Sequence, residues 1–261
     1  MKAYTLLSFD VEEFDMPLEY NHTISISEQM EVGKKGLDAL IPLWEKYDLT
    51  TTLFTTANFA QTFADSIKAL AAKHEIASHT FYHSDFINEH LLQSRLALEN
   101  IAGKKVKGLR MPRMRKVEMA EVIKAGYIYD SSINPTFIPG RYNNFHLPRT
   151  VYRDENIVRM PASVSPVVRL PLFWLGFKNY PYWLFLKLCK QTLQKDGYLC
   201  LYFHPWEFTN INNYTMPNYT KKPNDIFLLQ RLERLINDLA KYSDFISMQD
   251  YLSLKQFINK N

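Results

Sequence analysis

The sequence predicts an α/β protein, a single domain built as a parallel (β/α) barrel. Three observations carry this. Short β-branched or apolar runs alternate with helix-period stretches about seven times. No linker, repeat or low-complexity break interrupts the alternation over 261 residues, a length that suits one such barrel or two small domains. The residues able to do chemistry fall just after the strands, the end of such barrels that carries the site.

The elements follow in order. Residues 2–9 read as a strand that delivers Asp10. Residues 11–33 are polar and irregular, with Asp15, Pro17, Glu19 and His22, and close at Gly33; a long loop after a first strand is where a site rim sits. Leu37, Leu40, Ile41, Trp44 and Tyr47 recur at three and four, so 34–47 is a helix with Pro42 as a kink. Residues 50–55 are a second strand, 57–73 one helix, and 75–77 a third strand leading to Ser78 and His79. A helix over 85–102, a strand over 106–109 ending in Arg110-Met111-Pro112-Arg113, and a helix over 117–125 stopped by Gly126 come next. Residues 127–129 form a strand before Asp130-Ser131-Ser132, and 133–155 a loop punctuated by prolines and Gly140. A strand over 157–160, an aromatic helix over 179–195 and an apolar strand over 198–203 lead to His204-Pro205-Trp206-Glu207. Leu228, Leu232, Leu235, Ile236 and Leu239 mark a strongly amphipathic helix. A strand at 245–247 and a short helix end the chain.

Composition excludes some roles. The net charge of +4 is too mild, and the Lys and Arg too dispersed, for a nucleic-acid binder. Cys189 and Cys200 are the only cysteines and sit in apolar segments, so they read as buried free thiols. Residues 1–7 are too short for a signal-peptide core and no run reaches membrane-spanning length, which predicts a cytoplasmic protein. The aromatic stretch 170–188 reads as a buried helix, with a membrane-surface contact as the lesser alternative.

The chemistry centres on Ser78-His79-Thr80-Phe81-Tyr82-His83. Its two imidazoles are four residues apart, on one side of a helical turn or tight loop, and imidazole is the commonest metal ligand. A carboxylate would complete a hydrolytic metal site, and Ser8-Phe9-Asp10-Val11-Glu12-Glu13 offers several. Asp10 and Glu12 share a side if strand geometry persists, with Glu13 opposite and read as a solvated acid. Two carboxylates beside a metal can divide the work, one binding the ion and one taking a proton. Arg110 could hold Asp10 by a bidentate pair, or form a structural salt bridge elsewhere. His204 is either a satisfied core histidine or a general acid.

Taken in order, these motifs resemble the polysaccharide deacetylase family (NodB homology, carbohydrate esterase family 4). The resemblance rests on Phe9-Asp10-Val11-Glu12, Ser78 to His83, Arg110-Met111-Pro112-Arg113, Tyr129-Asp130-Ser131-Ser132 and Tyr202-Phe203-His204-Pro205, and covers nearly the whole chain. The Asp-Val-Glu version and the His-Pro-Trp-Glu ending look most like the branch of bacterial exopolysaccharide gene clusters and its peptidoglycan-deacetylase-like relatives. The resemblance implies a distorted (β/α)7 barrel over 1–261 and removal of acetyl groups from N- or O-acetylated sugars of a glycan. It implies one divalent metal, usually zinc and sometimes cobalt or nickel, on Glu12, His79 and His83. Asp10 would be the general base, Arg110 would orient it, His204 would protonate the leaving group, and Asp130 would orient His204.

Two departures bear on the substrate. Val11 stands where the family commonly has a second Asp ligand, which moves that duty to the longer Glu12. Arg113 stands where an aromatic often follows the Pro, which points to an anionic substrate such as a uronic acid, a phosphosugar or a lipid-linked diphosphate sugar. Trp206 is placed either to stack on a sugar face or to join the core. Two other functions stay open: a hydrolase of small cyclic amides or ureides, and a carbohydrate-binding protein that has lost catalysis.

Overall fold

The side-chain alternation of the first strand sets up the barrel. In the computed structural model, which describes residues 2–259, β1 (Ala3–Val11) points Leu7, Phe9 and Val11 into the layer shared with the helices. Leu6 points the other way, into a second cluster with Phe54, Ala77, Tyr129, Val158 and Cys200 that fills the barrel interior. Ser8 and Asp10 share the parity of Leu6, so they rise through the interior towards one end. Met1 and the last two residues of the expected 1–261 domain lie outside the described residues.

After β1 come α1 (Ile26–Lys46), β2 (Thr52–Thr55), α2 (Ala57–Thr62), α3 (Ala64–Leu70), β3 (Glu75–Ser78), α4 (Glu89–Ala102), β4 (Gly108–Leu109), α5 (Met119–Lys124) and β5 (Tyr129–Asp130). The chain continues through a small hairpin, β6 (Phe137–Ile138) and β7 (Tyr142–Asn143), to β8 (Tyr152–Asp154), β9 (Ile157–Arg159), α6 (Trp174–Asn179), α7 (Tyr182–Asp196) and β10 (Tyr198–Phe203). It ends with α8 (Asn218–Lys221), α9 (Asp225–Leu239), β11 (Ser243–Phe245) and α10 (Met248–Leu254). The sheet order is β10-β1-β2-β3-β4-β5-β9-β8, with β11 also on β1. The seven strands expected over 2–203 and the last one, β11, all run parallel, and β8 returns antiparallel on β9. The circuit between β9 and β10 is joined by the Ser163 N–H to the Cys200 carbonyl (2.9 Å) and the Cys200 N–H to Ser163 Oγ (2.8 Å). The result is the distorted (β/α)7 barrel expected from the sequence.

Several boundaries differ from the sequence reading. The expected helix 57–73 is two, broken at Phe63, whose ψ of 47° is not helical. The aromatic helix expected over 179–195 is α7, and the aromatic stretch before it forms a separate short helix, α6, that ends ahead of Pro181. The proline-rich loop carries the hairpin and β8, and the last strand sits two residues earlier than expected. Both cysteines are buried and free, and burial pushes the Cys200 thiol up to about 12. No helix among the described residues is long and apolar enough to cross a membrane.

The largest difference is α1, which starts at Ile26 rather than after Gly33. Ser25 caps it, its Oγ accepting the Glu28 N–H at 3.2 Å. Gly33 reads as punctuation in the sequence, but it and Gly36 are contact points in the fold. A Cβ on Gly36 would lie 1.9 Å from the Pro205 carbonyl oxygen, and one on Gly33 2.6 Å from that of Glu12. The helix therefore presses its bare backbone against the two segments that carry Glu12 and His204. Gly36→Ala is expected to cost at least about 1–3 kcal/mol through overpacking. Urea unfolding should show the loss, and an unchanged midpoint would contradict the close approach.

Candidate active site

A single level of register gathers the site. Val11, Thr55, Ser78, Leu109, Asp130 and Arg159 are neighbours in successive pairs across β1, β2, β3, β4, β5 and β9. Glu12, His79 and Arg110 each lie one residue beyond that level, and His204 follows β10. Asp10, Glu12, His79, His83, Arg113 and His204 line one cavity at the C-terminal mouth.

The histidines sit on a loop, not a helix. Thr80, at φ +63°, turns the chain, and the loop is tied to α2 by the Ala57 N–H to the Thr80 carbonyl and the Asn58 N–H to the Phe81 carbonyl, both 3.0 Å. The His79 and His83 rings face each other at 5.5 Å. His79 Nδ1 is 2.7 Å from the Arg110 carbonyl, and His83 Nδ1 is 2.8 Å from Asp15 Oδ1. Both partners only accept, so each Nδ1 carries the proton and donates it. In the neutral rings each Nε2 then presents a lone pair, and both point at Glu12 Oε2, at 3.0 and 3.1 Å.

That oxygen is buried without a hydrogen-bond partner, while Glu12 Oε1 accepts from Trp206 Nε1–H at 3.0 Å. Three lone-pair atoms so close repel unless a positive charge sits among them. A proton is one solution: burial lowers the His83 pKa, but Glu12 and Asp15 outweigh it and push the ring up to about 9. Burial likewise works against the Glu12 carboxylate, yet the imidazoles of His83, His204 and His79 hold its pKa well below the usual range. A divalent ion is the other solution. The N, N, O donor set suits one, and the spacings approach the about 3.3 Å edge of a tetrahedron with ~2.0 Å bonds.

Asp10 stands beside this cluster. Arg110 Nη1 donates to Asp10 Oδ1 at 2.5 Å and to Ser8 Oγ at 3.0 Å, while Nε and Nη2 bind the carbonyl and hydroxyl of Ser131. The guanidinium is fully buried over the Phe54 ring, 4.0 Å from its centroid. The pair is therefore single-pronged, with the other donors occupied by serines. Asp10 Oδ2 faces His204 Nε2 across 3.9 Å.

His204 is held from behind by a residue given no role in the sequence reading. Glu207 Oε1 accepts from the His204 backbone N–H at 2.8 Å and sits 3.0 Å from His204 Nδ1. Glu207 Oε2 faces Lys178 Nζ at 3.0 Å, and that ammonium also donates to the Thr220 carbonyl at 2.8 Å. Both side chains are buried. Burial lowers the Lys178 pKa against the pull of Glu207; on Glu207 burial acts upward, and Lys178 and His204 outweigh it. The signal was in the sequence: Glu207 lies three residues past His204, the spacing of a capping box. Asp15 was noted only as a rim residue, and nothing in its spacing marks it as the partner of His83.

Four sequence readings need correction. Asp130 does not reach His204; it accepts from Ser132, and from Arg159 Nε at 3.0 Å, because β5 ends in a tight Asp-Ser-Ser turn. Trp206 cannot stack on a sugar: it is 1% exposed, and its ring lies under His204 at 4.9 Å. Glu13 is buried rather than solvated, accepting from Thr56 and Asn58. Arg113 does line the cavity, but its fork is already divided between Asp15 Oδ2 (2.9 Å) and Glu19 Oε1 (2.6 Å).

Fold and mouth together define an α/β barrel of the NodB type with a buried Glu-His-His cluster beside a carboxylate and an imidazole. Residues 30–125 match the polysaccharide deacetylase family model, and residues 131–253 match a domain of unknown function (DUF3473). The first span holds His79, His83 and Arg110; the second holds His204 and Glu207. No curated protein matches the sequence. Among solved structures, a Mycobacterium smegmatis protein described as a polysaccharide deacetylase is 17% identical, with 97% of this chain and 90% of that one covered and a TM-score of 0.65. A Pseudomonas aeruginosa PAO1 protein described likewise is 14% identical, with 98% and 91% covered and a TM-score of 0.65. The Puue allantoinase is 15% identical, with 99% and 91% covered, also at 0.65. Such identities speak for the fold alone. Residues 30–125 thus carry the sequence pattern of the polysaccharide deacetylase family model, on a fold shared with these structures.

Asp15 bonds His83 at Nδ1, the nitrogen turned away from Glu12, and so fixes the ring. Asp15→Asn is expected to weaken zinc affinity about 10–100-fold. Competition against a chromophoric chelator measures this, and an unchanged affinity would show that the bond to His83 has no bearing on ion binding.

Proposed function

We propose that the chain, as one domain over 1–261, is a metal-dependent deacetylase of acetylated sugars in a glycan or glycan precursor, cleaving the linear amide of an N-acetyl group or the matching O-acetyl ester. The observation that carries this is the unpartnered Glu12 Oε2 meeting two imidazole Nε2 atoms in the cavity that Asp10 and His204 flank. Glu12, His79 and His83 would hold one divalent ion, zinc being the ordinary choice for such donors and cobalt or nickel the alternatives. When bound, the ion supplies Lewis acidity to the acetyl carbonyl and lowers the pKa of water.

The remaining work falls to the chain's own groups. Asp10 takes the proton of the attacking water, with Arg110 fixing the carboxylate through Oδ1 and leaving Oδ2 towards the cavity. Breaking this buried pair by removing Arg110 would leave an uncompensated charge, at about 3–5 kcal/mol. His204 Nε2 gives a proton to the departing nitrogen or oxygen. Glu207 holds the opposite ring nitrogen, so that Nε2 is the atom presented. Acetate and an amine or alcohol leave.

The cyclic-amide alternative calls for a closed pocket, whereas this cavity opens onto a further groove, which favours a glycan. The non-catalytic alternative would lack a base or an acid, and the presence of Asp10 and His204 in the cavity supports the catalytic reading over it. Zinc-loaded protein is expected to release acetate from a panel of N- and O-acetylated sugars. Asp10→Asn should lower the rate at least about 10²-fold, the ordinary worth of a positioned base. Glu207→Gln should lower kcat with KM little changed. Zinc uptake with no acetate release from any sugar would overturn the reading.

A further inference from the structure

The cavity does not end at the mouth. It shares Glu19, Arg113, Met114, Arg141 and Tyr142 with an adjoining groove that runs on past Arg115, Lys116 and His146 to Arg159. The two parts differ in charge. The catalytic cavity sets the carboxylates of Asp10, Glu12, Asp15 and Glu19 against the guanidiniums of Arg113 and Arg141. In the groove, four arginines and Lys116 face only Glu19 and Glu118.

Not all of these cations are available to a ligand. Arg113 is divided between Asp15 and Glu19, and Arg159 between Asp130 and Asp154. Arg141 reaches Glu19 only at 3.5 Å, and that carboxylate already holds Arg113 at 2.6 Å. Arg115 lies 5.7 Å from the Phe86 ring centroid, a contact that leaves its charge unneutralised. Neither Arg115 nor Lys116 has an ion pair among the described residues. Two charges without a carboxylate, Arg115 and Lys116, and a third, Arg141, that shares Glu19 with Arg113 therefore line a groove continuous with the catalytic cavity, and an uncharged glycan would leave the first two without a counter-charge.

We propose that this groove is a subsite for an anionic group, a carboxylate or a phosphate, carried next to the acetylated sugar. Arg115, Lys116 and Arg141 are its binding residues. The inference rests on the deacetylase reading for the sugar in the first position. It also moves the anion-binding duty away from Arg113, whose charge is internally satisfied.

The test is a binding measurement on zinc-equilibrated protein carrying Asp10→Asn, so that no ligand is consumed. Four probes are titrated: the hyaluronan tetrasaccharide against neutral chitotetraose, and N-acetylglucosamine 1-phosphate against N-acetylglucosamine. At least one anionic probe should bind about tenfold tighter than its neutral counterpart, the sum of three partly exposed charge contacts. A preference in the first pair names a carboxylate, and in the second a phosphate. The preference should shrink between about 0.05 and 0.5 M salt, and should vanish in Arg115→Gln/Lys116→Gln/Arg141→Gln. Equal binding in both pairs overturns the proposal, as does a preference that survives the triple substitution or high salt. Zinc uptake and acetate release of the protein with Asp10 intact are scored separately. Their failure with the charge preference present would count against the deacetylase reading and not against the subsite.

Discussion

Glu12 Oε2 and the Nε2 atoms of His79 and His83 form the constraint around which the rest of the site is arranged. Atoms that carry only lone pairs do not share a buried space at 3.0–3.1 Å without a cation or a proton among them. Everything around them serves to hold that arrangement. The Arg110 carbonyl and Asp15 fix the two ring tautomers, and Trp206 occupies the other oxygen of Glu12. Trp206 in turn lies beneath His204, so one indole couples the ion cluster to the proposed acid.

The second theme is how many charges the barrel buries and how each is answered. Arg110 is fully buried, and Lys178 and Glu207 nearly or fully so. Isolated, each would cost several kcal/mol; paired and hydrogen-bonded, they are tolerated and hold geometry. Arg110 reaches Asp10 from below through the barrel interior. Lys178 reaches Glu207 from α6, which links the outer helical layer to the His204 segment. The proposed base and acid are thus each backed by a buried ion pair from a different part of the chain.

Much of this was legible in the sequence. The seven parallel strands follow from hydrophobic alternation and short β-rich runs, and their C-terminal positions predicted that Asp10, His79, Arg110 and His204 would meet. Strand parity correctly separated Asp10 and Glu12 from Glu13. What was not legible depends on contacts distant in sequence. Gly33 read as the end of a loop because local propensity cannot know that the Glu12 backbone approaches there. Trp206 stayed open between a sugar platform and the core because its burial comes from Phe14 and Trp174, far away in the chain. Lys178 carried no signal at all, since a lysine in a short helix ordinarily faces water. Asp130 was assigned to His204 by resemblance, and the Asp-Ser-Ser turn with Arg159 shows that in this chain Glu207 occupies that position instead.

The most direct measurement of the central claim is zinc K-edge X-ray absorption on the metal-loaded protein. The account predicts nearest neighbours of nitrogen and oxygen only, at about 2.0–2.2 Å, with the outer scattering of two imidazoles. A sulfur neighbour at about 2.3 Å, or no imidazole scattering, would place the ion elsewhere and contradict the Glu12-His79-His83 site.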